Sequence, residues 1–267
     1  MTRTAIIAGS GRLPATLAAA MDRPMVCALE GYAPQGLAVD QTFRVERLVP
    51  FLRSLADADV GQVVFAGAVA RPRLDPSLFD PATAQMVPRL LAAMQAGDDA
   101  TLRAVIAIFE EAGFAVVGAQ DLAPDLVPMA GVLAGAPSGA DRQDTDRAAT
   151  IVAALGAVDV GQGAVVAQGL CLAVETLPGT DAMLDWVAQT ARRPNPDGPR
   201  GVFYKAPKPG QDLRIDLPTL GLDTLARVHA AGLAGIAFHA GGVILLDRLA
   251  MVAEAERLGL FLWAREP

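Results

Sequence analysis

Histidine and cysteine are nearly missing from this chain of 267 residues, with two of each. His229 and His239 stand far from any Cys or from one another, and Cys27 and Cys171 show no metal-ligand spacing. Zinc chemistry therefore has no ligand set, and any metal would be a hard ion on carboxylates. Both cysteines lie in apolar, strand-like runs (PMVCALE and QGLCLAVE), which reads as buried free thiols of an intracellular protein. Aromatic residues make up only 5%, so the core must be aliphatic. Basic residues are not in excess either. The net charge of −7 and a pI near 4.9 argue against general affinity for nucleic acid. No apolar run approaches the roughly 20 residues that cross a bilayer. The opening TRTAIIAGSG is too short for a signal sequence and ends in a glycine turn. The expectation is a cytoplasmic protein, with a role at a membrane surface open because that needs only an apolar patch or groove.

What is present is aliphatic and alternating. Hydrophobic residues reach 52% and the mean hydropathy is +0.36. The length suits two domains or one large one. TAIIA (4–8), PMVCALE, GQVVFAGAV and FAVVGAQ read as buried strands, and an extended piece is expected within 43–49. Helical segments fall between them, near 14–20, 50–58, 86–96 and 100–112, the last ended by Gly113. Strands alternating with helices indicate parallel βαβ units. A Pro- and Gly-rich run near 131–143 marks a domain boundary, giving domains of 1–135 and 136–267. The second half reads as a helix over 145–155 and a hairpin turning at Gln168-Gly169. A helix follows from Gly179, then the strand GVFYKAP, a helix over 222–231, strands around Gly241-Gly242, a helix over 247–258 and LFLWA.

Four stretches carry chemistry. GSGRLP follows the first strand at once, and a glycine-rich strand-to-helix turn lets backbone N–H groups approach a phosphate, with Pro14 suited to the first turn. It lacks the third glycine of the dinucleotide fingerprint, so a tight structural turn and a nucleotide loop both remain open. Gly67 ends its strand ahead of Arg71 and Arg73, which suit either a diphosphate or a salt-bridged loop. Asp98, read as an N-cap, accounts for itself by capping. Glu175, Thr180 and Asp181 surround a strand-to-helix turn and suit capping or metal chemistry. The fourth stretch, KAPKPGQDLRIDLPTLG over 205–221, packs two lysines, an arginine, two aspartates and a glutamine between three prolines. It cannot be a helix interior or central strand, and its residues suit a phosphate, with cations for oxygens and carboxylates for a metal or water.

GSGRLP, FAGAVARP (65–72), GDDATLRAV (97–105), VVGAQDLAPDLV (116–127), DVGQ (159–162), ETLPGTDAML (175–184), the 205–221 stretch and AGLAGIA (231–237) occur in that order along the chain. In this the chain resembles, over its whole length, the LpxI-type UDP-2,3-diacylglucosamine pyrophosphatases of lipid A biosynthesis. The resemblance implies a Rossmann-like, parallel-sheet N-terminal domain and a second α/β domain, with the ligand between them. It implies Mg²⁺-dependent hydrolysis of UDP-2,3-diacylglucosamine to UMP and 2,3-diacylglucosamine 1-phosphate (lipid X), with water attacking the phosphorus on the sugar side. Its partners would be a lipid-linked sugar nucleotide and, transiently, the inner membrane surface, with no nucleic acid; a homodimer is compatible with it. The chemistry needs cations on non-bridging oxygens and a group that orients or deprotonates water. Lys205, Lys208 and Arg214 supply the cations. Asp216 is assigned to the water or the metal, and Asp212 and Asp181 come next. Gly9, Ser10, Gly11, Arg12, Leu13 and Gly67 are assigned to the uridine diphosphate end, and Thr180 and Gln211 to further substrate contacts.

Two other classes fit parts of the chain. A nucleotide-dependent oxidoreductase would use the first domain, with Glu30 at the end of the second strand as its ribose acid. A non-catalytic protein that binds a sugar nucleotide or a nucleotide cofactor would need only the charged loops.

Overall fold

The structure, a computed structural model, describes residues 3–70 and 73–266. The chain forms two compact units: 1–124 with 212–216, and 125–211 with 217–267.

In the first unit, β1 (Arg3–Ala8), β2 (Met25–Leu29), β3 (Gln41–Phe43), β4 (Val60–Ala66) and β5 (Ala115–Val117) form a parallel sheet in the order β3-β2-β1-β4-β5. Strands buried on both faces read as continuous apolar runs, and MVCAL of β2 is buried at every position. The helices are α1 (Leu13–Ala19), α2 (Leu48–Asp57), α3 (Pro81–Ala84), α4 (Val87–Ala96), α5 (Asp98–Glu111) and α6 (Ala119–Leu122). Although aromatics are few, this core concentrates them. Phe43 stacks on Phe51 at 4.0 Å, and Phe109 meets Phe65 edge-on at 5.1 Å. The extended piece expected within 43–49 is shorter and earlier. Val45–Arg47 is a 3₁₀ turn that runs straight into α2, where Pro50 sits in the first turn and costs no hydrogen bond. Asp98 is the first helical residue of α5 rather than its N-cap, which is Gly97 at φ +124°.

The second unit holds β6 (Gly131–Ala134), β7 (Gly163–Ala167), β8 (Leu170–Val174), β9 (Val202–Lys205), β10 (Thr219–Leu220), β11 (Gly235–His239), β12 (Ile244–Leu245) and β13 (Phe261–Arg265). β10 and β12 pair with each other; the rest make one sheet in the order β6-β13-β11-β9-β7-β8. β9, β11 and β13 are parallel, and the strands beyond them run antiparallel to their neighbours. Because β6 belongs to this sheet, the chain divides earlier than the 135/136 boundary suggested by the Pro- and Gly-rich run.

Alternation along β9 assigns the faces. Val202 and Tyr204 pack with Ala148 and Val152 of α7 (Gly139–Gly156). Phe203 packs on the other side with residues of α8 (Gly179–Thr190), α9 (Leu222–Ala230) and α10 (Arg248–Leu258). Helix α7 begins six residues before the expected Thr145. Ser138 and Asp141 form a capping box there, in a polar run that hides the helical period. Asp144 of α7 accepts from Gln168 N at 2.9 Å and Gly169 N at 2.7 Å, which pins the hairpin turn. That turn has positive φ at both central residues, as a type I′ hairpin turn requires. Cys27 is buried, as expected, but Cys171 is exposed because β8 is an edge strand.

Candidate functional site

In the first unit the strand order reverses beside β1, so the carboxyl ends of β1 and β4 flank the switch point where open α/β sheets take ligands. Gly9 to Leu13 and Gly67 lie there. Gly9 N donates to Ala66 O at 2.8 Å, and Ser10 and Ala68 exchange backbone hydrogen bonds at 2.9 Å. The two glycines explain that crossing. A Cβ at Gly9 would lie 2.6 Å from Ala68 O, and one at Gly67, whose φ is +94°, would lie 2.6 Å from Ser10 O. The amides of Gly9 and Ser10 are thus spent on strand closure, and a phosphate at this turn would meet the amides that follow. Gly11 has φ +97° and open space where a Cβ would stand, so backbone conformation selects glycine there rather than crowding by the protein. Arg12 is exposed, α1 has no side-chain cap, and Gln35 N reaches back to Gly11 O at 3.0 Å. Glu30, the ribose acid of the oxidoreductase reading, is held by the Arg44 guanidinium. Arg71 lies outside the described residues, and Arg73 is exposed.

The 205–221 stretch is shared between the units: 205–211 and 217–221 belong to the second, 212–216 to the first. In the first unit Ile215 packs against the core. Arg214 forks onto Asp212, with Nη2 to Oδ2 at 2.7 Å and Nε to Oδ1 at 3.0 Å, and its Nη1 reaches Glu110 Oε1 at 2.7 Å. These bonds hold the Asp212 carboxyl below its ordinary value, Arg103 adding to the effect. The same partners push the Arg214 guanidinium further up. Arg103 and Glu110 are seven apart and therefore share one face of α5, which places the GDDATLRAV helix against 212–216. Asp216 is half-buried in the same segment.

In the second unit, Lys205 ends β9 on the α8 face and is 5% exposed. Its Nζ donates to Glu175 Oε2 at 3.0 Å and to Thr180 Oγ1, and Thr180 Oγ1 donates to Glu175 Oε2 at 2.8 Å. The DVGQ stretch makes room for this group. A Cβ at Gly161 would lie 2.0 Å from Glu175 O, and one at Gly163 would lie 2.8 Å from Glu175 Oε2. Asp181 turns the other way, its carboxylate 3.5 Å from Arg227, so neighbours in sequence part company in space. Lys208 pairs with Asp159. Gln211 braces the loop, its Oε1 accepting from Lys208 N at 2.9 Å and Gln162 Nε2 at 2.8 Å.

Thus the structure brings Lys205 and Thr180 together, and Asp212 and Arg214, and it gives each cation of the stretch an acidic partner. Glu175, outside the assigned site set, is the acid at the centre of the Lys205 group. The signal for it was its place at a strand end, five residues before Thr180. Among the described residues, no group of three or more His, Cys, Asp or Glu is arranged to hold a metal. No helix among them is long and apolar enough to cross a membrane.

Comparison with known proteins covers both units. Residues 3–126 match the LpxI N-terminal domain and residues 129–263 the LpxI C-terminal domain. A relative from Caulobacter vibrioides named UDP-2,3-diacylglucosamine pyrophosphatase LpxI is 37% identical over 291 residues, covering 100% of this chain and 99% of its own length. With both domains matched and a relative this similar from end to end, the chain belongs to the LpxI family.

Proposed function

We propose that this protein hydrolyses UDP-2,3-diacylglucosamine to UMP and 2,3-diacylglucosamine 1-phosphate in lipid A biosynthesis, with Mg²⁺. The observation that carries the reading is the end-to-end similarity to a pyrophosphatase of that name. In the reaction a water oxygen bonds to the phosphorus on the sugar side, the bond from that phosphorus to the bridging oxygen breaks, and UMP leaves with that oxygen. The protein works at the inner membrane surface because the substrate carries two acyl chains.

The site's donor set suits a hard ion that comes with its substrate. In the second unit Glu175 is engaged by Lys205, in the first Asp212 and Glu110 share Arg214, and no cage of acids is arranged among the described residues. Mg²⁺ characteristically takes one or two carboxylates and completes its shell with phosphate oxygens and water. We assign Asp216 to it or to the attacking water. When bound, the ion neutralises charge developing on the phosphate oxygens. Lys205 and Lys208 act on the same oxygens from the protein side, and a buried ammonium does so without reorganising. The forked Asp212–Arg214 pair shapes the backbone that presents Asp216, four residues beyond Asp212. The turn at Gly9 to Leu13, with Gly67, holds the uridine diphosphate end.

The test is turnover of UDP-2,3-diacylglucosamine by the purified protein in ¹⁸O-labelled water, followed by mass spectrometry of both products. Label in the 2,3-diacylglucosamine 1-phosphate is expected. Label in UMP would move the attack to the other phosphorus, and no turnover would overturn the reading. Activity that survives exhaustive chelation would remove the metal alone.

A further inference from the structure

Of the 22 basic residues of this chain, only Lys205 and Lys208 are lysines; the other 20 are arginines. Lysine and arginine differ in what they offer. An ammonium is a compact point charge with three donors, whereas a guanidinium is a planar fork with five. A chain that uses arginine almost everywhere keeps lysine here, and Lys205 is the more buried of the two.

Two of the three N–H groups of Lys205 are accounted for, one by Glu175 Oε2 at 3.0 Å and one by Thr180 Oγ1. The third has no partner among the described protein residues. A buried cation short of one hydrogen bond is costly, and native proteins satisfy such groups with water or a ligand. The geometry around it is fixed from several sides. The Thr180 hydroxyl commits its proton to Glu175 Oε2 at 2.8 Å, so a lone pair faces the ammonium. Gly161 and Gly163 leave no room for a side chain beside Glu175, and Glu175 N donates to Gly163 O at 2.8 Å. The carboxylate is therefore held on both its backbone and its side chain.

We propose that Glu175 is a positioning residue: with Thr180 it occupies two of the Lys205 N–H groups and aims the third at a non-bridging phosphate oxygen of the substrate. The phosphate is the one that hydrolysis attacks, so the proposal rests on the pyrophosphatase reading above. Glu175 itself touches no substrate. Its negative charge makes a buried ammonium tolerable in the resting protein, and its fixed oxygen keeps that ammonium from swinging toward solvent.

Having two lysines makes the test direct. With ¹⁵N-labelled lysine the protein has two ammonium resonances, and Lys205→Arg identifies one by its loss. In the wild-type protein the Lys205 ammonium should exchange slowly with water and shift in a saturable way as inorganic phosphate is added. In Glu175→Gln it should broaden and stop responding, while kcat falls about 10–100-fold with KM changed far less. Should Glu175→Gln fail to fold, Thr180→Val should give the same loss of response and of kcat, and Thr180→Ser, which keeps the hydroxyl, should restore both. A Glu175→Gln protein with kcat within about twofold of wild type and a phosphate-responsive ammonium would overturn the proposal. A wild-type protein whose Lys205 ammonium answers to phosphate but which turns over no UDP-2,3-diacylglucosamine would keep the phosphate contact and overturn the reaction instead.

Discussion

Asp212 and Arg214 are two residues apart, yet the guanidinium bonds both oxygens of the carboxylate and also reaches Glu110 on α5. A carboxyl held below its ordinary value stabilises the folded state above its unfolded pKa, and that contribution is lost as pH falls through the folded value. The 212–216 segment should therefore keep its hydrogen-exchange protection from neutrality down to about pH 5 and lose it below about pH 4, the ordinary carboxylate range. Arg214→Lys, which has no fork, should weaken that protection at every pH. Protection that is flat down to pH 3 would show that the pair holds nothing in place. The thiols make a second contrast at this scale. Burial pushes Cys27 up to about 12, whereas Cys171 lies exposed on the edge strand. A native labelling experiment at pH 8 should modify Cys171 alone, and denaturant should release Cys27.

Among the elements, the crossing of β1 and β4 is where glycine is required most strictly. Gly9→Ala puts a Cβ 2.6 Å from a backbone oxygen, and backbone cannot rotate away as a side chain can. Overpacking of this kind costs about 1–3 kcal/mol, so Tm should fall clearly while Gly139→Ala, uncrowded and without a positive φ, costs less. Equal shifts would contradict the close approach. The glycine turn and buried strands of this unit were legible in sequence because continuous apolar runs and glycine punctuation are local signals. The early start of α7 was not. Its first two turns, GADRQDT, bury Asp141, Asp144 and Thr145 through hydrogen bonds instead of apolar contact, so hydrophobic period carries no trace of them. Ser138→Ala removes that capping box and should cost about 1 kcal/mol.

For the molecule as a whole, the stretch 205–221 reads in sequence as one charged loop and proves to serve two bodies. Charge and proline content say that such a segment is irregular, but not which core each part packs on. Of the two apolar residues in 212–216, Leu213 is exposed and Ile215 packs on the first unit, a difference the sequence does not show. The pairing of Lys205 with Glu175 was equally hidden, since 30 residues separate them and it is the β7–β9 and β7–β8 ladders that bring their strands together. The assigned chemistry places Asp216 at the attacking water or the metal, with recognition of the uridine and acyl ends elsewhere. The measurement that tests this most directly compares Asp216→Ala with wild type in turnover of UDP-2,3-diacylglucosamine, together with mass spectrometry of lipid that co-purifies. Wild type should release UMP; Asp216→Ala should lose on the order of 10²–10⁴ in rate and carry intact substrate. An Asp216→Ala protein that turns over at close to the wild-type rate, while Asp212→Ala does not, would contradict the assignment.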